Sequence, residues 1–494
     1  MPPVLALAIW FVLLVALMVF DPAKDRRVSS ALWVPVIWIF IVATRNPAQW
    51  LGGAPLALGA GTMEDGNPLD RAIFLTLILL AIAILVSRAF RWDQFITRNT
   101  ALIIFILFAL VSVFWSDFPL VAFKRWFRDL GNYLMVLIVL SDPFQLEGVR
   151  TAFRRLFYLL IPLSIILIKY FPQIGMGYWE WTGEPMYQGP TTSKNALGAV
   201  CMVSALFFLW DILTRWSDRK ESRTKKILAV DLVFLGMTLR LLYQATSATS
   251  RVCLAIGCFV MIALHSQWGK RHVTLVKACV LTSFPLYLLL AFGLDFSGAF
   301  ARSVGRNPSL TDRTQLWKIL LSMHTNPLVG SGYDSFWLGA RFAQVFRSFG
   351  GAINEAHNGY LEIYLNLGLI GLVILVAFLI ASYRNICKRL SAPAPSFAPF
   401  ALALWIVMLF YNMTEAAFRF HWMWIAFLMG AIYVPERLVG ELKPFSNDLS
   451  VKAIPQLHGK RTSKGLSKLP EAISEFPARG KVTRLRSSRA RSVT

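Results

Sequence analysis

Long apolar runs separated by short polar stretches dominate the hydrophobic pattern of the chain. We identify about thirteen runs, at 3–20, 30–44, 71–88, 100–115, 120–141, 153–171, 195–212, 227–244, 251–266, 272–293, 361–382, 397–414 and 416–434. A membrane-spanning helix needs about 20 mostly apolar residues, and backbone in lipid must satisfy its own hydrogen bonds. The pattern therefore predicts an all-α polytopic membrane protein with about 12 to 13 transmembrane helices. The run 120–141 is the least regular, because Lys124, Arg125, Arg128 and Asp129 interrupt it.

The same pattern divides the chain into four segments. Residues 1–293 hold the first ten predicted helices, 294–360 form a large loop, and 361–434 hold helices eleven to thirteen. The tail 435–494 is basic, contains Ser, Pro and Gly, and has no helical periodicity, so we expect it to be disordered. A hydrophobic content of 56% excludes an ordinary soluble domain.

The net charge of +23 is concentrated in alternate loops. The densest of these loops follows the seventh run and spans 213–226. Because positively charged loops stay in the cytoplasm, this pattern predicts an external N-terminus and a cytoplasmic tail. The loops 46–70, 172–193 and 294–360 are then external. The basic tail suits anionic lipid headgroups, and no aromatic platform or motif beside it indicates a nucleic-acid partner.

Basic side chains collect at the external ends of the predicted helices. Lys194 and Arg251 stand where two helices begin, and the large loop holds Arg306 and Arg313. Cations at an outer interface suit a membrane-bound anion such as the diphosphate of a polyprenyl carrier, since Arg matches phosphate oxygens with a planar fork. Alternatives stay open: Lys194 can extend to lipid headgroups, and the loop arginines can pair with Asp312 or Glu355 to fold the loop.

His357 lies at the end of the large loop, where the chain re-enters the membrane. Its imidazole can accept a proton near neutral pH, so His357 is the candidate general base; the alternative is a residue that bonds only its own loop. No Asp-x-Asp, Gly-rich phosphate loop or H-E-x-x-H occurs. The five cysteines make no C-x-x-C. We therefore expect no metal site, no cofactor and no disulfide.

Five segments occur in an order that resembles a known family. They are "SKNALG" at 193–198, "SATSR" at 247–251, "GRNPSLTDRTQLW" at 305–317, "NPLVGSGYDSFW" at 326–337 and "EAHNGYLEIYLNLGLIG" at 355–371. Together they resemble the O-antigen ligase and polymerase family of bacterial envelope proteins. The third segment looks most like exopolysaccharide polymerases of the succinoglycan type. The resemblance covers roughly residues 190–380.

The resemblance implies a GT-C-like membrane glycosyltransferase in the bacterial inner membrane, with its site facing the periplasm. Such proteins transfer a glycan from a polyprenyl diphosphate to a saccharide hydroxyl, without metal and with inversion. By resemblance His357 is the base, and Arg251 and Arg313 hold the diphosphate. Lys194 matches a family position whose role is less clear. Many relatives have Gly where this chain has Asp312, so Arg306 rivals Arg313 as a diphosphate ligand.

Several further roles are left open by the sequence. Trp337, Tyr333 and Tyr360 are candidate stacking surfaces for sugars, with Glu355 beside them, or else they form the core of the loop. A polymerase would have a flippase and a chain-length regulator as possible partners. The first alternative function is a ligase, which joins the same donor to a lipid A core or a protein. The second is a transporter or flippase of lipid-linked sugars.

Overall fold

The computed structural model describes residues 1–25, 27–52, 66–88, 90–178, 183–293, 313–349, 353–392 and 396–434. Three of our expectations fall outside these residues. They are the diphosphate contact of Arg306, the charge of Asp312 beside Arg313, and the disorder of the basic tail. Those three expectations stay predictions.

Helices make up most of the described chain. In order they are α1 Pro3–Phe20, α2 Trp33–Ala43, α3 Pro47–Trp50, α4 Pro68–Ser87, α5 Trp92–Arg98, α6 Thr100–Val111, α7 Pro119–Leu140, α8 Gln145–Tyr170, α9 Pro172–Gly175, α10 Lys194–Arg215, α11 Ser222–Ala245, α12 Ala248–His265, α13 Gln267–Arg271, α14 Val273–Leu288, α15 Arg313–Ser322, α16 Gly339–Phe349, α17 Gly359–Leu390, α18 Ala398–Tyr411 and α19 Trp422–Ala431. A short antiparallel hairpin of β1 Met176–Tyr178 and β2 Pro185–Tyr187 interrupts them.

The helices confirm the prediction of an all-α polytopic membrane protein. Each of the thirteen apolar runs coincides with helix. Within the described ranges, eight helices are long and apolar enough to cross a membrane. A ninth span results if α5 and α6, which meet at 90°, count as one. Three shorter apolar helices and the charge-interrupted α7 account for the remaining runs.

Helix α10 lies at the centre of the bundle, where it packs against α11, α12 and α18. The Ser193 side chain caps its start by accepting from the backbone N–H of Ala196, and Arg215 stands in its last turn. At the Arg215 end, Asp211 is fully buried and binds Arg150, Arg154 and Arg215. The two ends of α10 therefore differ in their surroundings. The helix begins at Lys194, and its other end lies beside a buried network of arginines bound to Asp211.

Helix α17 is broken at Gly368, and a loop segment, 326–332, fills the break. The backbone N–H groups of Leu369 and Ile370 donate to carbonyls of that loop at 2.9 and 3.0 Å. In return the N–H groups of Ser331 and Gly332 donate to helix carbonyls at 3.0 and 2.9 Å. The exchange satisfies the backbone groups that the break exposes, which membrane-depth backbone requires. The exchange also fixes the loop against α17, the helix that begins two residues after His357.

Replacing Gly368 with alanine should destabilise the fold. Gly368 has φ 65° and ψ −166°, a conformation that L-residues avoid, and an added Cβ would overlap the backbone carbonyl carbon of Leu328. Residual strain of this kind costs on the order of 1–3 kcal/mol, before the overlap is counted. A lower midpoint of thermal unfolding in detergent is the expected result. Gly236→Ala is the matched control, because nothing lies within 4 Å of a Cβ built there.

Candidate active site

The start of α17 holds His357 in an unusual backbone conformation. Asn358 caps the helix by accepting from the N–H groups of Tyr360 and Leu361, at 3.0 and 3.1 Å. Immediately before it, His357 has φ 47°, in the left-handed region. Such a conformation in a residue other than glycine persists only where its surroundings enforce it, and it is concentrated at functional sites. The cap therefore fixes the direction in which the imidazole points.

Two carboxylates flank the imidazole. His357 Nδ1 lies 3.0 Å from Glu355 Oε1 and 3.8 Å from Glu415 Oε2. Nδ1 is fully buried, whereas 34% of the side chain is exposed. The accessible edge of the ring is thus the one that carries Nε2. This arrangement orients a histidine through Nδ1 and leaves Nε2 for a reacting proton.

The carboxylates also set the charge of the imidazole. Burial alone would lower the pKa of His357, but Glu355 and Glu415 outweigh it and raise that pKa to about 9. Burial would raise the pKa of Glu355, yet His357 and Arg419 hold it at about 2. At neutral pH the imidazole is therefore protonated and the Glu355 carboxylate ionised.

Glu415 connects His357 to three helix starts. Its Oε1 accepts from Asn195 Nδ2 at 2.8 Å and from Arg313 Nη2 at 3.2 Å. The neighbouring Thr414 shares a hydroxyl hydrogen bond of 2.7 Å with Thr249, in the first turn of α12. The starts of α10, α12 and α15 therefore meet at the turn 411–421, beside His357. This is where the sequence placed its candidate cations.

The individual cations differ in how closely they approach the imidazole. Arg313 reaches the imidazole through Glu415, because it binds Glu415 and the Thr414 carbonyl, rather than Glu355 as the sequence allowed. Lys194 is half-buried beside Asn195. Arg251 lies in the first turn of α12, as predicted, yet its exposed guanidinium turns back to donate to the Tyr243 carbonyl at 2.9 Å. The structure brings together the helix starts, but not all three cationic groups.

Arg419 is a central residue that the sequence analysis did not select. Rather than pairing with its neighbour Glu415, Arg419 lies 3.4 Å from Glu355, 3.3 Å from Glu362 and 3.5 Å from Asp334. Glu362 is only 3% exposed, inside an otherwise apolar helix. A carboxylate in such a helix is itself a signal of function or of a buried ion pair. Glu362 is therefore the feature of the sequence that would have led to this cluster.

The candidate sugar-stacking aromatics are already engaged in the protein. Trp337 is buried and donates from Nε1 to Glu362 at 2.7 Å. The Tyr333 hydroxyl donates to Asp129 at 2.6 Å, and the Tyr360 hydroxyl to the Leu409 carbonyl at 3.1 Å. Their geometry is that of supporting side chains. Trp317 belongs to the same group, because it donates to the Ala356 carbonyl at 2.8 Å.

Glu355, His357 and Glu415 have ligand atoms within 4.8 Å of one another, a spacing that a metal ion can bridge. Arg419 and Arg313 already neutralise the two carboxylates. That positive charge opposes a second cation at the same point. A metal-free centre stays the prediction.

Part of the chain that forms this site is similar to known proteins. A family model described as O-antigen ligase matches residues 232–376, which contain Arg251, Arg313 and His357. Over 295 residues the chain is 23% identical to "Exopolysaccharide production protein ExoQ" of Rhizobium meliloti (strain 1021), covering 58% of this chain and 65% of that relative. The chain thus spans about 65% of the length of the curated relative it matches. Residues 232–376 of this multi-pass membrane protein, which include His357 and Arg313, are therefore similar to the O-antigen ligase family.

Proposed function

We propose that the chain is a polysaccharide polymerase, which transfers a glycan from a polyprenyl diphosphate to a hydroxyl of a second saccharide. The observation that carries this proposal is His357, oriented through Nδ1 by Glu355 and Glu415, with Arg313 in the same cluster. The family match and the name of the relative support glycan chemistry on a membrane-bound donor.

The transfer needs one proton acceptor and one stabilised leaving group. The acceptor hydroxyl attacks the anomeric carbon from the face opposite the diphosphate, while His357 Nε2 takes its proton. The bond between the anomeric carbon and the diphosphate oxygen breaks, and its electron pair stays on that oxygen. Arg313, with Lys194, Arg251 and Arg306, would stabilise the growing negative charge. A new glycosidic bond forms with inversion, and the lipid diphosphate leaves.

The distribution of charge supports a periplasmic site in the inner membrane. Helix α10 has 22 residues. At ~1.5 Å per residue it is about 33 Å long, close to the thickness of the hydrocarbon core. Its Lys194 end belongs to the site, and its Arg215 end to the buried arginine network. The Arg215 end leads into the basic loop 213–226, and because basic loops stay in the cytoplasm, the site at the Lys194 end lies on the opposite, periplasmic side.

Reconstitution with the lipid-linked repeat unit tests the proposed function. The purified protein in liposomes should convert a lipid-linked repeat unit into longer lipid-linked chains without added metal, and in the presence of a chelator. A ligase would leave the repeat unit unextended and transfer it only when a lipid A core or a protein acceptor is added. A flippase would move the repeat unit across the bilayer without extending it. Either result would overturn the polymerase assignment.

The pH dependence of turnover should report the raised pKa of His357. A general base acts in its neutral form, so kcat/KM should rise about tenfold per pH unit and level off near pH 9. Glu355→Gln removes one of the carboxylates that stabilise the imidazolium, so the midpoint should move down towards the ordinary value. A rate that falls as the pH rises through 9 would instead make the imidazolium the active form.

A further inference from the structure

A cleft of about 620 Å³ lies between the N-terminal halves of α4 and α7, next to the His357 cluster. Neither helix belongs to the part of the chain that the family model matches. Pockets for small ligands have volumes of about 300–1,000 Å³, so the cleft is large enough for a diphosphate and its first neighbours. None of the site residues selected from the sequence lines it except Trp337.

One part of the cleft carries an excess of positive charge. Its lining includes Arg71, Lys124, Arg125 and Arg128. Arg125 pairs with Asp334 at 3.4 Å, and Arg128 pairs with Asp129 at 2.9 Å. Arg71 and Lys124 are exposed and form no ion pair with any residue that the structure describes. The four charges that interrupt the α7 run therefore belong largely to this surface, which explains why that run is the least apolar.

The rest of the lining combines an apolar wall with Asp70, Asp334 and three asparagines, so the cations still outnumber the carboxylates. Phe74 and Ile78 from α4 are buried, and Phe123 from α7 is 45% exposed. Leu75 continues the α4 wall and is 47% exposed. Because α4 is one of the helices able to cross a membrane, we expect the exposed side chains of this wall to meet lipid. Cations beside an apolar wall match an anion that is attached to a hydrocarbon chain, and they suit a soluble anion or a bare hydrocarbon less well.

Direct contacts join the cleft to the imidazole. Arg419 lines the cleft and lies 3.4 Å from Glu355, which lies 3.0 Å from His357. Arg313, Lys194 and Arg251 do not line the cleft; Arg313 reaches His357 through Glu415. Two separate cationic surfaces therefore reach the same histidine through different carboxylates.

We propose that the cleft binds the diphosphate and first prenyl units of a second lipid-linked saccharide, the acceptor. This inference rests on the proposed polymerase function, because a polymerase that extends lipid-linked chains joins two substrates that each carry a prenyl diphosphate. Arg71, Lys124 and Arg128 bind the acceptor diphosphate, and the exposed Leu75 and Phe123 contact its prenyl chain. The acceptor saccharide extends past Arg419 towards His357 Nε2.

The first experiment compares two acceptors with one donor. The donor is a lipid-linked repeat unit methylated at its acceptor hydroxyl, so that it can only donate. The acceptor is the same repeat unit, either lipid-linked or released from its lipid. Wild-type protein should use the lipid-linked acceptor with a kcat/KM at least about tenfold higher. The double variant Arg71→Ala/Lys124→Ala should lose this preference and keep its kcat/KM with the released acceptor.

Arg347→Ala is the matched control, because Arg347 is exposed, lies outside the cleft and, among the residues that the structure describes, bonds its own helix at Ala343. It should leave the preference unchanged. A double variant that loses activity equally with both acceptors would overturn the acceptor assignment, as would a wild-type protein without preference. The latter result would make the cleft a site for ordinary phospholipid.

A binding measurement separates failure of the cleft from failure of the proposed function. Inactive His357→Asn protein in nanodiscs should bind a fluorescent prenyl diphosphate at two sites per chain. When Arg71→Ala and Lys124→Ala are combined with His357→Asn, one of the two sites should remain. Two sites without turnover in the wild type would contradict the polymerase function alone. One site that the double variant does not affect would overturn the cleft proposal, whatever the turnover.

Discussion

Replacing His357 with asparagine is expected to lower transfer about 10²–10⁴-fold, which is the usual contribution of a general base. Asparagine is the best replacement because it tolerates the left-handed backbone, φ 47°, that His357 adopts. The asparagine side chain cannot accept the proton that Nε2 of His357 would take up. The measurement is the initial rate of chain extension from the lipid-linked repeat unit in liposomes.

His324→Asn provides the control for this substitution. His324 is exposed in the same large loop, outside the His357 cluster, so its replacement should leave the rate unchanged. His324→Asn should also leave the midpoint of thermal unfolding unchanged within about 2 °C, since a surface substitution changes stability little. His357→Asn should lower the midpoint, because Glu355 and Glu415 lose the imidazolium between them. A folded His357→Asn protein with full activity would remove the base assignment.

Replacing Arg419 with methionine is expected to cause the largest loss of stability among the site residues. Methionine fills much of the same space but leaves Asp334, Glu355 and Glu362 without their shared cation. Removing one partner of a buried ion pair costs about 3–5 kcal/mol, and a value near 3 is expected because a quarter of the Arg419 side chain is exposed. The free energy of unfolding in mixed detergent and dodecyl sulfate measures this effect.

Arg341→Met is the matched comparison. Arg341 pairs with Asp117, whose side chain is 60% exposed, and such exposed pairs contribute about 0–1 kcal/mol. The expected result is therefore a small change for Arg341→Met and a large one for Arg419→Met. Equal effects would mean that the three carboxylates around Arg419 are solvated or protonated in the folded protein, rather than held by its charge.

The sequence anticipated the fold because membrane helices are encoded locally. Each span must be apolar over its own length and satisfy its own backbone, so periodicity and hydropathy were sufficient to find all thirteen helical runs. The break in α17 was not anticipated. Gly368 reads as an ordinary glycine in an apolar run, and the carbonyls that make its conformation stable come from Pro327 and Leu328, about 40 residues earlier.

The neighbourhood of the site was also partly accessible from the sequence. Lys194 and Arg251 were placed at external ends of helices and Arg313 in the large external loop, and the helices that they begin do meet beside His357. The orientation of each side chain was not accessible, since Arg251 turns to Tyr243 and Arg313 to Glu415. A pattern along one helix gives the end at which a charge lies, but not the neighbour it meets.

By itself the sequence determined that this is a helical membrane protein and which histidine stands at a helix start, and it predicted which helix ends are external. Only the tertiary structure decided that Glu355 and Glu415 hold that histidine, that Arg419 joins three carboxylates, and that the charged half of α7 faces a cleft beside α4. The physical reason is the separation along the chain over which each interaction acts. Burial in lipid acts on each segment separately, whereas ion pairing acts between groups that are up to 85 residues apart around Arg419 and depends on distances of a few ångströms.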